Sequence, residues 1–170
     1  MNYINKGKRD ILILPKFDNI NEIQKIRKKY DELYDKIMPH ITIAFPFHKS
    51  ISNEGLKKAL QTIMGKIKPF KIKCSGITLK KDEKIQKYYI FLNIVDGKET
   101  IKKIHNQIYN NIMPDIDIEK YNYEPHITLG TIDDKEEIEL SECFETIIDS
   151  IVVEQIGENE ESIVQFEIKL

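Results

Sequence analysis

His40-Ile41-Thr42 and His126-Ile127-Thr128 are one triplet used twice, each directly after a proline, Pro39 and Pro125. A free imidazole titrates near pH 6.5, so it can take or give a proton around neutrality. Two facing rings can divide that work. One removes a proton from a nucleophile while the other protonates a leaving oxygen, and each role typically contributes ~10²–10⁴-fold to rate. Threonine hydroxyls and nearby backbone amides can hold the non-bridging oxygens of a phosphate and stabilise charge in the transition state. These residue types suit work on a phosphate ester. They call for no metal and no other cofactor, since a catalytic zinc usually takes three protein ligands.

One such triplet would be a weak signal, because threonine is common in strands and a strand histidine is more often structural than catalytic. Two copies after prolines, at matching places in the chain, carry more weight. Alternation along a strand puts His40, Thr42 and Ala44 on one face and Ile41, Ile43 and Phe45 on the other. In the second copy His126, Thr128 and Gly130 share a face opposite Ile127 and Leu129. The apolar faces can pack into cores. The small residues Ala44 and Gly130 are expected to leave room for a ligand beside the imidazoles. Of the other two histidines, His48 is expected to border the site and His105 to be an exposed or packed helix residue. Paired acid and base roles predict a rate that follows a bell centred near neutrality.

The elements needed to position the triplets occur in the same order twice. Ile11 to Leu14 reads as a buried strand closed by Pro15. Asn19 and Glu22 resemble a capping box for a helix carrying Ile20, Ile23, Ile26, Tyr30, Leu33 and Ile37. The first triplet strand follows. Next come a helix with Leu56, Leu60, Ile63, Met64 and Ile67, and the alternating strand Phe70 to Cys74. The second half gives a strand from Tyr88 to Val95 and a helix capped by Asp96 and Glu99, with Ile101, Ile104, Ile108 and Ile112. A loop from Met113 to Pro125 precedes the second triplet strand. A helix from about Asp134 to Ile148 and a hairpin from Ile151 to Leu170, turning at Gly157-Glu158-Asn159, complete the chain. This order implies a duplicated α+β architecture: two sheets face one another across a cleft, with helices outside.

With 170 residues, the chain fits one two-lobed domain, residues 1–170, able to bury roughly 70% of its unfolded surface. Its 41% hydrophobic and 32% charged residues are those of an ordinary folded protein. A net charge of -2 argues against a duplex-DNA footprint. Charge is nevertheless uneven: residues 66–87 hold eight lysines and 133–145 are acidic. The basic stretch is either a solvated face or an aid to the approach of a nucleotide or RNA end. Cys74 and Cys143 form no metal or disulfide motif and read as reduced thiols. No apolar run reaches the roughly 20 residues of a membrane span, and the first ten residues lack the pattern of a secretory leader. A cytoplasmic location is expected.

The segments Pro39-His40-Ile41-Thr42-Ile43 and Pro125-His126-Ile127-Thr128-Leu129 resemble the signature of the two-histidine (2H) phosphoesterase superfamily, two His-x-Thr/Ser-x motifs. Motif spacing and element order agree over almost the whole chain. The resemblance implies a bilobal, duplicated LigT-like fold with two mainly antiparallel sheets and both motifs facing a central cleft. It implies that His40 and His126 are the acid–base pair and that Thr42 and Thr128 bind phosphate. The implied reaction is the opening of a 2′,3′-cyclic phosphate, or a related cyclic phosphodiester, by water. Some relatives join or cleave 2′,5′ linkages in RNA. The implied partner is a nucleotide or RNA end, met by a monomer. Gly130-Thr131-Ile132 follows the second motif where several relatives carry a basic residue, so any contact made there is lost or supplied elsewhere. Phe47, Lys49 and Tyr123 flank the motifs as candidate substrate contacts; an aromatic stacked on a base is worth roughly 1–3 kcal/mol. The competing function is a module that binds the same ligand in the same cleft without turning it over.

Overall fold

A computed structural model describes residues 5–170. Residues 1–4, on which the expectation of no leader partly rests, lie outside the described residues. The strands are β1 (Arg9–Ile13), β2 (Ile41–Phe47), β3 (Phe70–Asp82), β4 (Lys87–Asp96), β5 (His126–Ile132), β6 (Phe144–Ile148), β7 (Ser150–Ile156) and β8 (Ser162–Lys169). The helices are α1 (Ile20–Tyr30), α2 (Asn53–Met64) and α3 (Lys98–Ile112), and a short 3₁₀ turn spans Ile118–Lys120. No helix among the described residues is long and apolar enough to cross a membrane.

Two four-stranded sheets form, in the orders β2-β1-β7-β8 and β5-β4-β3-β6, with every pairing antiparallel. The two orders are equivalent position by position. Each triplet strand lies at a sheet edge beside the first strand of its own half. The third position of each sheet is filled from the other half: β3 joins the second sheet, and β7, with β8 beside it, joins the first. The helices bury their apolar stripes, such as Leu56, Leu60 and Met64 of α2 and Ile101, Ile104 and Ile108 of α3, in one continuous core.

Helix starts and stops differ from the expected ones for local reasons. Asn19 makes no side-chain cap; its amide donates to the Cys143 carbonyl at 3.0 Å instead. Ser52 caps α2 by accepting from the Gly55 N–H at 3.1 Å. At α3 the cap position is Gly97, with φ 80, and the Asp96 carboxylate accepts from the Gly97 N–H. The pattern through Leu33 and Ile37 does not extend α1, which ends at Tyr30. Arg27 is the cause. It is 1% exposed, and its guanidinium bonds to Asp31 at 2.8 Å, to the Ile37 carbonyl at 2.8 Å and to the Leu33 carbonyl at 3.3 Å. Asp31 also accepts from the Leu33 N–H at 2.9 Å, an Asx-type turn that competes with helix continuation.

No helix forms over 134–148; an irregular segment leads into β6. Asp133, Asp134, Glu136, Glu137, Glu139 and Glu142 crowd like charges there. Leu140, Phe144, Ile147 and Ile148 do recur at helical spacing, but Phe144 to Ile148 pair with Phe70 to Cys74 of β3, so strand pairing overrides the local pattern.

Candidate active site

The triplets reach the same local geometry through the same contacts. His40 Nδ1 lies 2.9 Å from the carbonyl of Met38, and His126 Nδ1 lies 2.8 Å from the carbonyl of Glu124. A carbonyl oxygen only accepts, so Nδ1 carries the hydrogen in both rings. Each neutral ring therefore keeps its basic lone pair on Nε2. The anchor is two residues upstream in each case, and it fixes tautomer and ring orientation without borrowing a carboxylate.

Both strands then carry one extra residue directly after the threonine. Leu12 faces Thr42 while Ile11 faces Ala44; Phe91 faces Thr128 while Ile90 faces Gly130. Such bulges break strict alternation and bend the strand. Ala44 and Gly130 consequently turn into the protein, which corrects the expectation that they leave room for a ligand. Gly130 has φ +134, and a Cβ there would sit 2.2 Å from the carbonyl oxygen of Tyr30 at the end of α1. The first bulge also exposes Phe45, at 51%, although alternation assigns it to the core.

Side chains from the second half brace the first motif. His105 Nδ1 donates to the Ile43 carbonyl at 2.7 Å, and Tyr109 accepts from the Phe45 N–H at 3.1 Å. The Tyr123 hydroxyl donates to the Thr42 carbonyl at 2.8 Å, and its ring stacks on His105 with centroids 3.8 Å apart. Burial raises the Tyr123 phenol, which keeps it a donor. His105 is thus a buried structural histidine.

The edge strands β2 and β5 abut, which brings the two histidines into one electrostatic environment. Burial is the main reason both titrate below the ordinary imidazole range. Their carbonyl anchors oppose that shift in each case. Arg27 and His126 add to the depression at His40, partly offset by Asp31; Lys80 adds to it at His126, partly offset by Glu124. Both rings are therefore predominantly neutral at pH 7, and a bell-shaped rate belongs on the acidic side of neutrality. Phe91 lies against the His126 ring, centroids 3.6 Å apart. Thr42 and Thr128 are half-buried, and neither hydroxyl has a protein partner among the described residues. Two neutral bases and two free hydroxyls on adjoining edges can pass protons around a phosphate. No group of three or more His, Cys, Asp or Glu among the described residues is arranged to hold a metal ion.

The flanking candidates are engaged elsewhere. A second register shift turns Phe47 into the core, where Arg9 covers its ring at 5.7 Å. Lys49 donates to the Ile112 carbonyl, and Tyr123 braces Thr42. These three act as supports of β2, and His48 is exposed beyond it. Residues not singled out from sequence do lie at the site. Arg27 fixes the Asp31–Met38 segment that ends on the His40 anchor. Glu124, whose carboxylate is held well below its usual range by Lys98 and Lys102 of α3, supplies the His126 anchor. Period-two alternation in β4 places Tyr89 and Phe91 on one face, but the register that sets Phe91 beside His126 is not a local signal.

Comparison with known proteins identifies the family and the fold. The 2′-5′ RNA ligase superfamily model matches residues 15–155. A protein of Geobacillus thermodenitrificans with the provisional name phosphoesterase is 30% identical over 112 residues, covering 61% of this chain and 57% of the relative. The chain thus spans little more than half the length of such curated relatives. The crystal structure of E. coli LigT complexed with NADP+ matches with TM-score 0.65 and 13% identity over 96% of this chain and 98% of that one. Usb1 of Kluyveromyces marxianus matches with TM-score 0.56 and 9% identity over 98% and 100% of the two chains. The fold is therefore LigT-like, and the chain belongs to the 2′-5′ RNA ligase superfamily.

Proposed function

We propose that the protein is a metal-independent phosphoesterase that opens a 2′,3′-cyclic or related cyclic phosphodiester on a nucleotide or RNA end. The observation that carries this is the matched presentation of His40 and His126: the same tautomer, the same anchor and the same bulge on two abutting strands. One Nε2 takes a proton from water as its oxygen attacks phosphorus. The other ring, entering protonated, gives its proton to the ribose oxygen as that P–O bond breaks. Water and the cyclic diester are consumed, a phosphate monoester and a free hydroxyl result, and the proton count closes with the two rings exchanging states. Thr42 and Thr128 donate to the non-bridging oxygens. Depressed imidazoles favour the base role without a carboxylate partner and make the acid role strong once the proton is loaded. Crystal structures of E. coli LigT with ATP and with 3′-AMP support a nucleotide as ligand class.

The test is a product assay with EDTA present, on 2′,3′-cyclic nucleotides and on oligoribonucleotides ending in a cyclic phosphate. Wild type should turn over at least one of them, and His40→Ala and His126→Ala should each lose ~10²–10⁴-fold with the fold retained. Full activity in both variants would remove the proposed site. Tight binding of phosphate-ended ligands with no product on long incubation would make the protein the non-catalytic module instead.

A further inference from the structure

The two sheets are equivalent strand by strand, so the faces beside the two histidines can be compared position by position. In the first sheet Thr42 is followed across the strands by Leu12 and Val152; in the second, Thr128 is followed by Phe91 and Thr78. Two residues along, Asp10 faces Glu154 in the first sheet and Tyr89 faces Lys80 in the second. Equivalent sites thus carry a carboxyl pair on one side and an aromatic–ammonium pair on the other.

Their exposure differs as sharply as their charge. Asp10 is 6% exposed and Glu154 is 2% exposed, with Leu12 and Val152 also buried. The Asp31–Met38 segment joins this side through the Ser162 N–H, which donates to the Lys36 carbonyl at 3.1 Å. On the second sheet Tyr89 and Phe91 are half-exposed, and Thr78 and Lys80 are exposed. Tyr89, Phe91 and His126 form a continuous row of rings, with centroids 5.7 Å and then 3.6 Å apart. Lys80 has no ion-pair partner among the described residues, and its charge is felt at His126. Asp82, two residues beyond Lys80 on the same strand, turns its carboxylate into the β3–β4 connection to accept from the Lys84 N–H at 2.8 Å.

We infer that this open face, with Tyr89, Phe91, Thr78 and Lys80 leading to His126, is a track for a single-stranded RNA, so that the site selects a strand end over a mononucleotide. Aromatic rings that accept bases of any sequence, combined with unpaired cations along the backbone path, are the elements of sequence-tolerant single-strand binding. The equivalent face of the first sheet is covered and offers neither an exposed ring nor a cation, so only one of the two faces can take the strand. The inference rests on the proposed reaction only for the nature of the strand's end.

Binding is therefore measured without turnover, by fluorescence anisotropy. The probe is a labelled pentaribonucleotide with a 3′-phosphate, and the competitors are the unlabelled pentamer and a 3′-phosphorylated mononucleotide. The pentamer should compete roughly tenfold or more better than the mononucleotide, as one stacked base is worth about 1–3 kcal/mol. Tyr89→Ala and Lys80→Ala should each remove most of that advantage. Tyr89→Phe, which keeps the ring, should restore it, while Lys57→Ala on α2 should leave it unchanged. Lys80→Ala should also reduce the slope of log affinity against log salt by about 0.7, the expectation for one lost contact to a single strand. Equal affinity for pentamer and mononucleotide, or an unchanged advantage in both alanine variants, would overturn the inference. Because no turnover enters the measurement, failure here leaves the proposed reaction standing. Absence of turnover with an intact length preference would overturn the reaction alone.

Discussion

The Tyr123 hydroxyl donates to the backbone carbonyl of Thr42 across 2.8 Å, so a side chain just upstream of one motif sets the strand of the other. Tyr123→Phe keeps the ring on His105 but strands that carbonyl. It should cost roughly 1–3 kcal/mol of stability, as for an unsatisfied buried acceptor. It should also lower kcat severalfold, through misplacement of Thr42 rather than loss of a reacting group. Urea unfolding together with turnover of a cyclic phosphate checks both; a variant matching wild type in each would mean the bond positions nothing.

The pH dependence of kcat/KM follows from the burial of both rings. Burial disfavours the imidazolium, so the singly protonated pair needed for acid and base roles is populated most below the ordinary imidazole range. The bell should peak on the acidic side of pH 6.5, and its limbs belong to the coupled pair rather than to either histidine. Rates measured between about pH 4.5 and 9 with a maximum on the alkaline side would contradict these environments.

Gly130 and Gly7 offer a controlled contrast. Both have positive φ, +134 and +74, but a Cβ at Gly130 collides with the Tyr30 backbone whereas one at Gly7 meets nothing within 4 Å. Gly7→Ala should cost about 1–2 kcal/mol, the left-handed penalty alone. Gly130→Ala should cost about 3 kcal/mol or more, because α1 must also move. Similar midpoints for the two variants in chemical denaturation would refute the packing described for α1 against β5.

Asp10 should make stability fall as pH rises. In the fold its carboxyl holds a proton up to about 9, against 3.8 ordinarily, chiefly through burial and then through Glu154 beside it. The unfolded chain releases that proton near pH 4, so the folded state binds the extra proton across the interval between those values. Stability therefore declines through that window and levels off above it. Asp10→Asn keeps a neutral hydrogen-bonding group and removes Asp10's share of the dependence, leaving that of Glu154, which burial also raises. Its Tm should exceed that of wild type at pH 8, by about 2–4 °C for each kcal/mol recovered, and the gap should close toward pH 4. A gap independent of pH would show that Asp10 is ionised in the fold.

Much of this was legible in the chain, and the failures share one cause. The triplets, the strands around them and the second-half helix are set by short-range pattern, and they stand where that pattern puts them. The bulges after Thr42 and Thr128 are not, because an extra residue is defined only against a partner strand. That is why Ala44, Gly130, Phe45 and Phe47 face ways that alternation does not give. The end of α1 is similar: Leu33 and Ile37 continue a helical spacing, yet a buried Arg27 collects their carbonyls and unwinds them. Lys80 and Phe91 reach the site through register between β3, β4 and β5, which spans distant parts of the sequence.

The crossing of β3 and β7 between the sheets bears on folding. Neither half of the chain can close a sheet alone, since Arg9 to Leu12 must find Val152 to Gln155 near the far end. Such distant pairing makes folding slow and all-or-none, with no autonomous lobe to serve as a stepping stone.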